Sequence, residues 1–262
     1  MGTFFTGEST PGLIDWSSMP TYNTIMAVAA GATLFALVLF VRGLAKRSAL
    51  SRTEAFAEGT EERRELAAFL DGYAVAFGVF GLILFTTGLH MILTWPLAEG
   101  GFPFDNIVFG ETCVPLGALA LGLSIYLWRR RDSVLEAPNP LVHLARVASP
   151  VGFFTILLGL ALIGIALAGL VYQLFAAPPQ EPISGAFSNM PMLENGALAV
   201  LFCLVAFGAI CFPFITKQIR DTGTLTPLAT AAGWCLAIAG IAWGLFGAMN
   251  FYTHIGLIVN TM

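Results

Sequence analysis

Six separate stretches of this chain, at about 22–41, 73–95, 107–128, 151–175, 193–215 and 228–258, consist almost wholly of apolar residues. Each is long enough to cross the ~30 Å hydrocarbon core of a bilayer as a helix. The sixth exceeds that need and is expected to tilt or to emerge from the membrane. In lipid every backbone polar group must be satisfied internally, which leaves helices or a closed barrel. Continuous apolar runs without strict alternation select helices. The chain is therefore expected to be all-α and polytopic, a single transmembrane domain over residues 1–262 with six spans. Composition agrees: 57% of residues are hydrophobic, 11% are charged, and mean hydropathy is +0.81. Ordinary soluble domains carry about 25% charged residues. A net charge of −4 offers no footprint for nucleic acid. Four cysteines, scattered through the apolar runs, do not make a disulfide framework.

The twelve basic residues set an orientation. Arg42, Lys46, Arg47, Arg52, Arg63, Arg64, Arg129, Arg130, Arg131, Arg146, Lys217 and Arg220 fall on one side of a six-span chain. The positive-inside rule puts that side in the cytoplasm, with both termini extracytoplasmic in a cell membrane. The first twenty residues hold Glu8 and Asp15 but no Lys or Arg, so no cleavable signal is expected. A cytoplasmic helical linker is expected over residues 47–69, where Ser51 and Glu54 have capping-box spacing. Asp71 opens span two within reach of arginines, and His143, in the basic loop, is expected to be solvated.

An internal repeat is suggested by an offset of 83 residues. It places Phe104, Asn106 and Glu111 on Phe187, Asn189 and Glu194, and also Pro96 on Pro179, Gly81 on Gly164 and His90 on Gln173. Spans two and three would then recur as spans four and five, in the same orientation. His254 falls 81 residues after Gln173, and Tyr22-Asn23 resembles Asp105-Asn106. Span six with span one would then form a third, circularly permuted copy.

Ionisable residues gather at one depth. His90 lies just inside Trp95, an interface anchor; Glu111 and Glu194 open spans three and five; His254 is near the outer end of span six. Such side chains in a membrane helix usually face the bundle interior and mark function. The helix macrodipole alone would favour a glutamate at each of those helix starts. Pro115 removes the hydrogen bond to the Glu111 carbonyl. Imidazole with carboxylate suits a transition metal such as Cu, Fe or Zn. The expected metal ligands are His90, Glu111, Glu194 and His254, with Gln173 secondary; Met91, Cys113, Met190 and Met192 are softer donors nearby. Haem b on His90 and His254 is less favoured. The outer face carries Glu8, Asp15, Glu99, Asp105, Glu111, Glu181 and Glu194 and no Lys or Arg to pair with propionates. Cys203, Cys211 and Cys235 read as buried small hydrophobes. Gly240/Gly244 and Gly164/Ala168 read as small-residue faces for close helix packing.

The stretch Gly88-Leu89-His90-Met91-Ile92-Leu93-Thr94-Trp95-Pro96, followed by Asp105-Asn106-Ile107-Val108-Phe109-Gly110-Glu111, resembles the signature of an uncharacterised integral membrane protein family, a domain of unknown function, of archaea and actinobacteria. The resemblance implies a membrane protein with that His and Glu in its signature, and it brings no activity. Here Glu99-Gly100-Gly101 lengthens the outer loop. The functional expectation is an outer-leaflet His/Glu metal site, in a redox enzyme (a metal-dependent membrane oxidoreductase) or in an accessory subunit of a redox complex. The alternatives are a cation or proton transporter or channel, a b-type haem protein, and a non-catalytic scaffold subunit. Expected partners are the lipid bilayer and a homo-oligomer or larger membrane complex, with no nucleic acid.

Overall fold

A computed structural model of the chain describes residues 3–16, 22–50, 60–94 and 103–262. The fold is all-helical among these residues, and six helices are long and apolar enough to span a membrane. They are α1 (Asn23–Leu50), α2 (Glu61–Leu93), α3 (Glu111–Arg129), α4 (Gly152–Tyr172), α5 (Pro191–Thr222) and α6 (Pro227–Thr261). Several run past the apolar stretches that predict them. α2 starts at Glu61, where Glu61 and Glu62 occupy the first turn and suit the positive end of the helix dipole. α5 continues to Thr222 through a Lys217–Asp221 pair at 3.1 Å, one turn apart. Of the expected linker, the described residues 47–50 and 61–69 belong to the ends of α1 and α2. Ser51, Glu54, Trp95, Pro96 and Glu99 lie outside the described residues.

Local signals end the helices where the sequence supplies them. Thr226 caps α6 by accepting the Ala229 N–H, with Pro227 in the first turn. Gly223, at φ 74°, closes α5. A five-residue π-helical turn, Asn106–Gly110, leads into α3, and Pro115 lies inside that helix. The widened turn and the missing N–H together loosen the backbone hydrogen bonding around Glu111.

The helices associate as three antiparallel pairs, α1 with α6, α2 with α3, and α4 with α5. In lipid such pairing rests on close van der Waals fit rather than on the hydrophobic effect. One contact recurs. A Cβ added at Gly81 would sit 2.8 Å from the Leu121 nitrogen and 3.0 Å from the Gly117 oxygen; at Gly240 it would sit 2.9 Å from both the Phe35 nitrogen and the Gly31 oxygen. At Gly159 it would meet Ile210 at 2.5 Å and the Ala206 oxygen at 2.9 Å. Two turns further out, Gly88 lies against Gly110 and Val114 as Gly247 lies against Thr24 and Val28. The packing register differs from the expected 83-residue offset. Gly159 stands 78 residues after Gly81, and Ala206 stands 89 after Gly117. Gly164, expected to match Gly81 and to pack closely, has open space where a Cβ would go.

The two ends of the bundle differ. At the arginine face, Arg131 pairs with Asp71 at 2.7 Å, Arg42 lies over the Trp234 ring and Arg47 over Phe69. A short amphipathic helix, Pro140–Ala148, buries Leu141, Leu144 and Ala145 against the bundle. His143 is not simply solvated as expected. It is half-buried, with Nε2 2.8 Å from the Tyr126 hydroxyl. At the opposite, terminal face, residues Phe4 to Trp16 are tied to the end of α6 and to the α4–α5 loop. Cys113 is buried, whereas Cys203 is exposed on the outside of the bundle, contrary to the buried site expected for it.

Candidate functional site

The five expected ligands take different places on the terminal face. His90, in the last turn of α2, is exposed, and its Nδ1 stands 2.7 Å from the Tyr22 hydroxyl. Glu111 opens α3 and is exposed. Gln173 is exposed and left-handed, φ 53°, and its backbone N–H bonds the Gly169 carbonyl, so it terminates α4. Glu194, in the first turn of α5, accepts the Ala177 N–H at 2.7 Å. The next residue, Asn195, is fully buried; it accepts the Phe175 N–H at 2.9 Å and donates to the Pro191 carbonyl at 2.7 Å. Glu194 and Asn195 together hold the descending loop onto α5. Among the described residues no three His, Cys, Asp or Glu side chains stand together as a metal-holding group.

The structure does bring together a smaller set around a residue that sequence reasoning counted only as one carboxylate among seven. Glu181, in the α4–α5 loop, faces His254 of α6, with Oε1 3.8 Å from Nε2. Their side chains are 10% and 17% exposed. Glu194 lies near enough for its carboxylate to act on Glu181, and the Thr253 hydroxyl lies beside it. Burial pushes the Glu181 carboxyl up from its ordinary 4.5 to about 7; the Glu194 charge adds to the rise and the Thr253 hydroxyl opposes it. His254 Nδ1 and, one turn inward, Asn250 Oδ1 are buried without a hydrogen-bond partner among the described residues. A second acid on this face behaves similarly: burial raises Asp105, just before the π-helical turn, to about 7.

The N-terminal segment covers this pair. The Ile183 N–H donates to the Phe4 carbonyl at 2.6 Å and the Glu8 N–H to the Pro179 carbonyl at 3.0 Å, bonds that bracket Glu181. Thr10 N–H donates to the Asn260 carbonyl at 2.7 Å, and the Tyr252 hydroxyl donates to the Phe5 carbonyl at 2.7 Å. Asn260 Nδ2 bonds both Thr6 and Gln180 carbonyls, and the Trp16 indole donates to Thr261 at 3.0 Å. Gly7 turns at φ 71° directly against the Gln180 backbone, where no side chain fits. On the far side of Glu181 the chain is strained. Ile183 sits at φ 64°, ψ −68°, and the Ser184 N–H bonds the Pro182 carbonyl at 2.7 Å. That is the rare form of γ-turn, costly for a β-branched residue.

The chain can take up a proton at this point: a buried carboxyl, an adjacent imidazole and a second carboxylate are close, and each can change charge. The sequence signal for Glu181 is weak. It sits in Pro178-Pro179-Gln180-Glu181-Pro182, outside every apolar run, and only folding brings it to His254.

The sequence model of one family, described as a protein of unknown function (DUF981), matches residues 19–256. No curated protein and no solved structure matches the chain.

Proposed function

We propose, for a chain that belongs to the DUF981 family of unknown function, that it is a proton-responsive membrane protein whose buried Glu181–His254–Glu194 cluster takes up and releases a proton at the terminal face. The observation that carries this reading is Glu181 itself, a nearly buried carboxyl 3.8 Å from an imidazole and capped by the N-terminal segment. Buried polar groups without full pairing cost stability and persist where they serve a purpose. The basic residues of the opposite face support a cytoplasmic arginine face, so the cluster faces the extracytoplasmic side of a cell membrane. Inward of Asn250, α6 carries no acidic, basic or histidine side chain as far as Thr230. That supports reversible uptake at one face rather than conduction through this chain alone.

A metal ion held at His254, of the five ligands expected from the sequence, is the second reading. The observation favouring it is His254 Nδ1, buried and without a partner among the described residues. The shared glycine contacts of the three pairs also support reading them as copies of one two-helix unit, circularly permuted.

Infrared difference spectra of the protein in lipid nanodiscs, between pH 5 and pH 8, test the first reading. Protonated-carboxyl bands of Glu181 and of Asp105, which burial raises to the same range, should disappear at the higher pH, and Glu181→Gln should remove the Glu181 component. An unchanged band in the variant overturns the assignment. Elemental analysis of the same preparations belongs beside it. Stoichiometric metal that vanishes in His254→Ala would transfer the conclusion to the second reading.

A further inference from the structure

At the arginine face a cavity of about 350 Å³ opens beside the amphipathic helix Pro140–Ala148, and Ser133, Glu136, Asn139, His143 and Arg146 line it. Trp128, exposed in the last turn of α3, marks the membrane interface there. Exposed Val147 and Phe153 continue from the helix toward the hydrocarbon. The cavity is charged on two sides. Arg146 acts on His143, and Arg130 acts on Tyr126, the hydroxyl partner of that same imidazole. Neither arginine forms an ion pair among the described residues, and neither does Glu136. The site therefore offers cationic charge and one carboxylate outside any ion pair, with the Ser133 hydroxyl also on its lining, while the Asn139 amide is already bonded to Gly223 and Val142.

We propose that this cavity binds the headgroup of an aminophospholipid from the adjoining leaflet, its phosphodiester drawn to Arg146 in the field of Arg130 and its primary ammonium to Glu136. Arginine matches phosphate oxygens in geometry and charge. A carboxylate accepts hydrogen bonds from a primary ammonium, whereas a quaternary ammonium has no N–H to give. Phosphatidylethanolamine therefore fits better than phosphatidylcholine, and phosphatidylglycerol leaves Glu136 without a partner. The apolar rim provides for acyl chains that a soluble phosphoamine lacks.

Native mass spectrometry of the delipidated protein, titrated with each of these three lipids, tests the assignment. Phosphatidylethanolamine should bind about tenfold tighter than phosphatidylcholine. Arg146→Gln should weaken all three lipids, with Arg146→Lys restoring part of the loss. Glu136→Gln should erase the preference for phosphatidylethanolamine over phosphatidylglycerol while leaving total binding in place. Both residues are exposed, so these variants should fold, and thermal unfolding of each confirms that they do. Equal binding of the three lipids by the wild type overturns the proposal, as does indifference to both substitutions. Soluble phosphoethanolamine binding as tightly as the lipid would also overturn it, by removing the membrane as the source.

Discussion

Glu181 carries a consequence for stability. In the unfolded chain its carboxyl titrates near 4.5; in the folded protein burial raises it to about 7. The folded state holds the proton more tightly, so the contribution of this group to stability is full below pH 4.5. It declines as pH rises and is lost once pH passes 7. The difference corresponds to roughly 3 kcal/mol over that window. The melting temperature of the wild type should therefore fall between pH 5 and pH 8. Glu181→Gln, which keeps the neutral shape and cannot ionise, should reduce that dependence to the part Asp105 supplies and be the more stable form at pH 8. A parallel decline in both proteins, followed by circular dichroism, would show that Glu181 is not the titrating group.

Residue by residue, the sequence exposes chemistry but not company. His254 and Glu194 stand out because each interrupts an apolar helix, and both do come near Glu181. His90 stands out for the same reason, yet it turns to Tyr22. Helix periodicity and depth assign a level in the membrane to each residue, and several helices share that level. Which of them meet is decided by the α4–α5 loop, whose course depends on Asn195 and on the strained turn at Ile183. Neither leaves a periodic signal.

At the scale of the element, the legible part is helix number and the illegible part is register. Apolar runs reveal six spans because lipid forbids open backbone. The offset of 83 residues rests on loop residues such as Asn106 and Asn189, and the two behave differently. Asn106 is buried and bonds the Met91 and Thr94 carbonyls, while Asn189 is exposed. Asn195 is the buried asparagine of α5 that ties down its loop, by accepting the Phe175 N–H rather than by donating. Packing compares glycines instead, and it makes Gly159 the counterpart of Gly81. Leucine at position 159 would overlap Ile210 and the Ala206 backbone, and overpacking of this kind costs about 1–3 kcal/mol. Gly159→Leu should lower thermal stability in nanodiscs by that amount, while Gly164→Leu, with open space around it, should stay within about 0.5 kcal/mol of wild type. Equal losses at the two positions would restore the 83-residue register. Asn195→Ala should also destabilise, by about 1–3 kcal/mol, because it strands the Phe175 N–H. Asn189→Ala should have little effect.

For the whole molecule, the termini and the arginines lie on opposite faces, and this polarity decides which compartment the proposed proton uptake at the acid–imidazole cluster would face. Trp16 bonds Thr261, so the N-terminal segment and the end of α6 share one face with Glu181. Asp71, Arg131 and the Pro140–Ala148 helix share the other. Under the proposed orientation, with positive charge retained in the cytoplasm, Glu181 meets external pH, which varies widely, rather than the buffered cytoplasm. Single cysteines on a background lacking the four native ones test this directly. Thr10→Cys, on the terminal face, should react with a membrane-impermeant maleimide in intact cells. Ser133→Cys, exposed at the rim of the opposite cavity, should react only after permeabilisation. The reverse pattern would put the cluster in the cytoplasm and make it a responder to internal pH, with the same chemistry at Glu181 serving the other compartment.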